Sequence, residues 1–321
     1  MDGVRYDPAR HRLALACALA TIVLLAAGGL VTSTGSGLAV PDWPLSFGTL
    51  FPPMAGGVLY EHGHRLVAAA VGLLTLLLAA WFLVTEPRPG VRRLALAGLG
   101  VILIQALLGG LTVLLRLPAS VSVAHACLAQ GFFCVAVTLA LATSRGFVAV
   151  APRPLASDGA VPLFIVAATA TGLVYAQLIL GAVMRHTGAG LAIPDLPLAF
   201  GRLVPPLLSF EIAVHFAHRV GAVVVLGAVG WMAARALPAR RDHPELARPA
   251  VLAIILVAVQ ILLGGITVAS RLAVLPATAH VVVGALLLAA CLVTALRAAR
   301  VRVRAPRRGR LPAAQPSGQA A

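Results

Sequence analysis

Long apolar runs broken by short polar segments make up most of the chain. Runs of about 20 residues, the length an α-helix needs to cross a bilayer core, cover residues 13–33, 64–84, 92–113, 122–143, 161–183, 214–235, 249–269 and 276–297. Each is predicted to be a spanning helix. Proline marks the boundaries, at Pro87, Pro89, Pro118, Pro152, Pro154, Pro162, Pro238, Pro244, Pro249 and Pro276. The first run follows Arg5, Arg10 and Arg12 and has the look of a secretory signal. It nevertheless matches the fifth run in an internal repeat, which assigns it to the fold.

The repeat is explicit. Thr34-Gly-Ser-Gly-Leu-Ala-Val-Pro-Asp-Trp-Pro-Leu-Ser-Phe-Gly48 returns as Thr187-Gly-Ala-Gly-Leu-Ala-Ile-Pro-Asp-Leu-Pro-Leu-Ala-Phe-Gly201. Gln105-Ala-Leu-Leu-Gly-Gly-Leu-Thr-Val113 returns as Gln260-Ile-Leu-Leu-Gly-Gly-Ile-Thr-Val268. The spacing is 153 residues from Pro41 to Pro194, 154 from His64 to His218 and 155 from His125 to His280. A near-constant offset means two copies of one unit. The predicted fold is therefore an all-α membrane protein, with eight transmembrane helices arranged as two tandem, pseudo-symmetric four-helix bundles. Four spans per copy leave both copies in the same orientation, related by an axis along the bilayer normal. The expected division is 1–145 for the first bundle, 146–160 for a linker, 161–297 for the second bundle and 298–321 for a basic, disordered tail.

Composition supports the membrane reading. Hydrophobic residues make up 60%, charged residues 11%, and the mean hydropathy is +0.98, too little polar surface for a water-soluble domain. The net charge of +15 does not point to nucleic acid, because of where it lies. All 25 basic residues are Arg, and only Arg116, Arg185, Arg202 and Arg271 fall in the first, third, fifth and seventh loops, with Arg65 and Arg219 at span entrances. This is the positive-inside pattern. It predicts cytoplasmic termini, outward-facing loops at 34–60 and 184–213, and a tail resting on anionic lipid. Cys17, Cys127, Cys134 and Cys291 all lie within spans and read as small core residues.

Four histidines stand out inside the membrane. His64 opens the second span and His125 lies one turn into the fourth; His218 and His280 hold the matching places in the second copy. Two imidazoles at one depth on different helices can clamp a flat cofactor, as bis-imidazole ligation of haem iron requires. Zinc fits less well, for want of third and fourth ligands. A single intramembrane histidine is more often a satisfied core residue, but two recurring pairs favour function. Arg65, Arg116, Arg219 and Arg271 lie near them and suit carboxylates, although each would also serve as a headgroup anchor. The copies differ at one ionisable position, since Glu61 aligns with His215. If the helix has already begun there, Glu61 shares a face with His64, which would place a carboxylate beside one pair only. An N-terminal helix charge is the plainer account of Glu61. His62 is a further candidate, His186 aligns with Ser33, and His11 and His243 read as inert.

Taken together, Thr-Gly-Ser-Gly-Leu with Pro-Asp-Trp-Pro-Leu, Glu61-x-x-His64-Arg65, the doubled Gln-x-Leu-Leu-Gly-Gly-x-Thr-Val, and His125, His218 and His280 resemble the haem A synthase family across residues 13–297. The resemblance implies a cell-membrane oxidoreductase of cytochrome c oxidase assembly, converting the C8 methyl of haem O to the formyl of haem A by successive hydroxylations. It implies Glu61 as the essential carboxylate, His64 and His125 (with Arg65 and Arg116) for substrate haem, and His218 and His280 (with Arg219 and Arg271) for an iron-bearing haem b cofactor, all toward the outer face. Haem O synthase and a second copy of the chain are candidate partners. Some members carry a cysteine pair in the first outer loop; here Ala39 and Ser46 stand instead. The rival reading is a dihaem cytochrome that only carries electrons, which shares the histidines but gives no reason for Glu61 in one half. A two-repeat transporter would need polar residues at mid-membrane, and a prenyltransferase would need Asp-rich motifs.

Overall fold

In the computed structural model, residues 5–149, 155 and 160–303 are described. The elements in order are α1 (Pro8–Ser33), α2 (Gly57–Thr85), α3 (Pro89–Leu114), α4 (Ala119–Thr143), a single helical turn α5 (Arg145–Val148), α6 (Leu163–His186), α7 (Phe210–Ala236), α8 (Pro244–Ala269) and α9 (Val274–Val303). Eight of them are long and apolar enough to cross a membrane, so the chain is a multi-pass membrane protein. Helix starts follow local chemistry. The Asp7 carboxylate accepts from the amides of Ala9 and Arg10 ahead of Pro8, and Pro89 and Pro244 sit in first turns where their missing N–H costs nothing.

Within the first copy α1 packs on α2 and α4, and α3 on α2 and α4; α6 to α9 repeat the pattern. The two rings meet where α1 and α4 lie against α9 and α6. Separate apolar cores fill each ring, around Val71, Leu78 and Phe82 in the first and Val229, Met232 and Leu288 in the second. Leu25, Phe133 and Ala285 form a smaller cluster that draws on both copies. Outward-facing Val23, Leu73, Leu103 and Leu262 are more than half exposed, as lipid contact requires. All four cysteines are free thiols.

Helix ends extend beyond the apolar runs. The second run was expected to begin at residue 64, yet α2 begins at Gly57, so His64 lies about two turns inside the helix rather than opening it. The polar residues Glu61 and His62 hide this segment from a hydropathy reading, although both are buried. At the other end α9 runs to Val303, past the expected limit of 297, and the Arg297 guanidinium donates to the Glu245 carbonyl. Most of the expected linker 146–160 and the tail from 304 onward lie outside the described residues.

Candidate functional site

The two long loops of the repeat, 34–56 and 187–209, fold back as near-identical caps. Asp42 accepts hydrogen bonds from the amides of Phe47 and Gly48 at 2.7 and 2.8 Å, and Asp195 from those of Phe200 and Gly201 at 2.8 and 3.0 Å. These bonds hold both carboxyls below the usual aspartate value of 3.8, most strongly through Gly48 and Gly201. Gly48 and Gly201 take φ of 71° and 70°, a conformation open to glycine at no steric penalty. Each loop is then gripped from below by the arginine after the first histidine. Arg65 donates to the carbonyls of Asp42 at 2.8 Å, Leu45 at 2.9 Å and Val40 at 3.2 Å. Arg219 donates to those of Asp195 at 2.9 Å, Leu198 at 3.0 Å and Ile193 at 2.7 Å. The loop carbonyls thus occupy the terminal nitrogens of Arg65 and Arg219, while Arg219 Nε is buried with no partner among the described residues. Arg116 and Arg271 stand exposed on the α3–α4 and α8–α9 turns, at φ of 60° and 52°.

Glu61 and His215 occupy equivalent places. Glu61 Oε2 accepts from the Val40 amide at 2.8 Å, and His215 Nδ1 accepts from the Ile193 amide at 3.3 Å. Both side chains therefore tie the loop to the helix beneath it. Only Glu61 adds an ion pair, with Arg65 at 2.7 Å. A second contact exists in the first half alone: Ser46 Oγ lies 2.8 Å from His62 Nδ1, where the second copy has Ala199 and Phe216. His62 Nε2 is buried with no partner among the described residues. His62 is thus a buried neighbour of the Glu61–Arg65 pair, not a loop residue.

The four histidines each pack against a glycine. A Cβ at Gly28 would stand 3.2 Å from His64 Cε1, one at Gly109 3.2 Å from His125, one at Gly181 3.0 Å from His218 and one at Gly264 3.2 Å from His280. Helices α1, α3, α6 and α8 so recess to admit the rings of α2, α4, α7 and α9. The second glycine of each Gly-Gly step has another occupant. Gly110 lies under the Trp43 indole, and Gly29 under the Thr278 methyl of the other half. Gln105 and Gln260 donate to the carbonyls of His125 and His280, both at 2.9 Å. These glycines and glutamines were visible as repeated motifs, but their function as cradle and brace needed the packing to be seen.

The His218 and His280 rings lie 6.4 Å apart between centroids, with planes at 62°. Two imidazoles bound through facing nitrogens to one metal, with bonds of about 2 Å, would have centroids roughly 6–6.5 Å apart, so the spacing fits a shared axial position. The Nδ1 atoms of His64, His125 and His280 are buried without partners among the described residues. No cluster of three or more His, Cys, Asp or Glu suited to a metal occurs among the described residues; paired imidazoles instead suit an iron whose other ligands come from a macrocycle. Arg185 and His186 form the last turn of α6. Arg185 also crosses between the halves, donating to Gly29 O at 3.0 Å and Ser33 Oγ at 2.7 Å. His11 and His243 lie away from these groups, beside Thr143 and Glu245.

The family model COX15-CtaA, described as cytochrome oxidase assembly protein, matches residues 56–292. A protein named Heme A synthase from Symbiobacterium thermophilum is 35% identical over 263 residues, 79% of this chain and 84% of that relative. Proteins of the same name from Shouchella clausii and Geobacillus kaustophilus are 32% identical over 67% of this chain (71% of the relative) and 30% identical over 83% of it (84% of the relative). The matched span takes in all four intramembrane histidines, the glycines at 109, 181 and 264 and the second of the two loop caps, and with it the chain belongs to the COX15-CtaA family of cytochrome oxidase assembly proteins.

Proposed function

We propose that the chain is a haem A synthase, an oxidoreductase that takes haem O as substrate and oxidises its C8 methyl to a formyl group. The observation that carries this reading is the pair of glycine-cradled imidazoles in each half, with ring spacing in the second half that suits axial ligation. In this reading His64 and His125 hold substrate haem between α2 and α4, and His218 and His280 hold haem b between α7 and α9. Bound there, haem b would supply one-electron chemistry. Residues 1–145 then form the catalytic half and 161–297 the electron-transfer half, with both termini cytoplasmic and the paired sites toward the outer face, as the arginine distribution favours.

The chain's own contribution is positioning and proton handling. Gly28 and Gly109 set the depth of the two rings, and Gln105 fixes the α4 backbone at His125. Glu61 lies one turn before His64 on α2, buried, with its carboxylate shared between the Val40 amide and Arg65. It would take up a proton as the methyl is oxidised, with Arg65 stabilising the carboxylate between turnovers. Exposed Arg116 and Arg271 remain as anion partners at the outer turns.

A second reading of Glu61 follows from its equivalence with His215: it anchors the loop and does no chemistry. Glu61→His separates the two, since the imidazole can accept from the Val40 amide as His215 does from Ile193. The full chain would be co-expressed with the haem O-forming enzyme and its pigments extracted. We expect Glu61→His to accumulate stably, retain haem b and form no haem A. Normal haem A from this variant would reduce Glu61 to an anchor. Absence of haem A even from the unaltered chain would favour the electron-carrier alternative.

A further inference from the structure

We propose that the groove between α8 and α9 binds an anionic phospholipid, with one acyl chain along the groove and the headgroup phosphate on Arg248 and Arg297. The site is independent of the haem assignment. It lies at the far end of the bundle from the paired histidines, since Arg297 is about 25 Å along α9 from His280 at the helical rise. The groove has a volume of about 250 Å³, whereas a cavity of roughly 150 Å³ already admits benzene. Its walls include Pro249, Leu252 and Leu256 of α8 with Leu286, Ala289 and Val293 of α9. These are two apolar turns from each of two membrane-spanning helices, a wall suited to hydrocarbon chain.

Pro249 also creates the polar end of the groove. Inside α8 it has no N–H to give the carbonyl four residues back, which leaves the Glu245 oxygen open. Arg297 takes that place and donates to Glu245 O at 3.1 Å. Its guanidinium is thereby drawn from α9 to the first turn of α8, one turn beyond Val293. Arg297 Nε is buried with no partner among the described residues. Arg248 stands next to Pro249 and one turn before Leu252, so it shares their face of the helix. It is exposed, and no ion pair among the described residues involves it. The Glu245 carboxylate is engaged elsewhere, 3.0 Å from His243 Nδ1. Two arginines at the aqueous end of an apolar groove between spans complement a phosphate carried on hydrocarbon. The first copy lacks these parts. By the offset of 155, Glu245, Pro249 and Arg297 correspond to Gly90, Leu94 and Ala142, while Arg248 corresponds to Arg93. Leu94 keeps its N–H, so no carbonyl is left open there, and the alanine has nothing to donate.

The test uses the full chain, purified in detergent and stripped of lipid. It is titrated with phosphatidylglycerol and with phosphatidylcholine of the same chains, and bound lipid is counted by native mass spectrometry. One phosphatidylglycerol should be retained in preference to phosphatidylcholine. Arg248→Gln should weaken its retention roughly fivefold, the scale of one arginine at a lipid surface, and adding Arg297→Gln should weaken it further. Leu252→Trp fills the groove from its half-exposed rim and should lose the same lipid with both arginines in place. Arg93→Gln, at the corresponding first-half position, should change nothing. Should the Arg297 variant fail to accumulate, Arg248→Gln and Leu252→Trp carry the test, because both positions are exposed. Equal retention of the two lipids, or unaltered retention by either Arg248→Gln or Leu252→Trp, would overturn the proposal. So would displacement of phosphatidylglycerol by farnesol at equal concentration, because the groove would then take an isoprenoid tail and not a phospholipid.

Discussion

A single methyl group is enough to test the glycine cradles. Gly181 leaves 3.0 Å between its Cβ position and His218 Cε1, closer than side chains pack without strain. In Gly181→Ala the imidazole has to tilt away, and overpacking of this kind costs about 1–3 kcal/mol. The variant should fold and insert yet copurify with markedly less haem than the unaltered chain, read from the pyridine haemochrome of the purified protein. Gly72, with no atom near its Cβ position, is the control, and Gly72→Ala should leave haem content unchanged. At this scale the sequence was legible in part. The four histidines and Glu61 could be singled out by repetition and by difference. The true partner of Arg65 could not, because a guanidinium next to a histidine in sequence points wherever the loop carbonyls happen to converge.

The loop caps are the elements that sequence described least. Their motif repeats almost letter for letter, yet nothing in it says that Asp42 closes the loop on Phe47 and Gly48. The folded-state pKa of Asp42 lies below 3.8. Its contribution to loop order is thus fully present above the unfolded value of about 3.9 and is lost as pH falls through the folded value. Cleavage of the first long loop by a protease active from neutral to acid pH should accordingly stay slow from neutral pH down to about pH 4 and accelerate below it. Asp42→Ala should be cleaved readily throughout that range. Equal resistance of Asp42→Ala and the unaltered chain at pH 7 would show that Arg65 alone closes the cap. Helix boundaries share the difficulty: α2 starts seven residues before His64, and its first turns carry Glu61 and His62, whose contacts with Val40 and Ser46 of the cap are tertiary events that hydropathy does not see.

The halves of the whole molecule are joined by more than apolar contact. Arg185 reaches from α6 to Gly29 O and Ser33 Oγ on α1, and Thr278 on α9 donates to the same Ser33 hydroxyl at 3.1 Å. Arg185→Met removes two charge-assisted bonds and leaves the Thr278–Ser33 contact. Hydrogen bonds between membrane helices contribute about 1 kcal/mol each, so the thermal midpoint in detergent should fall by several degrees, about 2–4 °C for each kcal/mol at this size. A midpoint within 1 °C of the unaltered chain (roughly 0.3 kcal/mol) would mean that the apolar contacts around Leu25 and Phe133 hold the halves unaided. The first copy has Thr32 and Ser33 where the second has Arg185 and His186, so this junction is not symmetric even though the bundles are.

By itself the sequence determined the membrane class, the eight spans, the doubling and the identity of the paired histidines. All of these follow from the length and apolarity of each run and from a constant offset, which are one-dimensional properties. Tertiary structure decided which glycine admits which ring, that Glu61 and His215 each tie a loop amide to the helix beneath it, and that Arg65 and Arg219 close on loop carbonyls. Each of these depends on atoms far apart in the chain meeting within hydrogen-bond or van der Waals range, and no local pattern encodes that meeting.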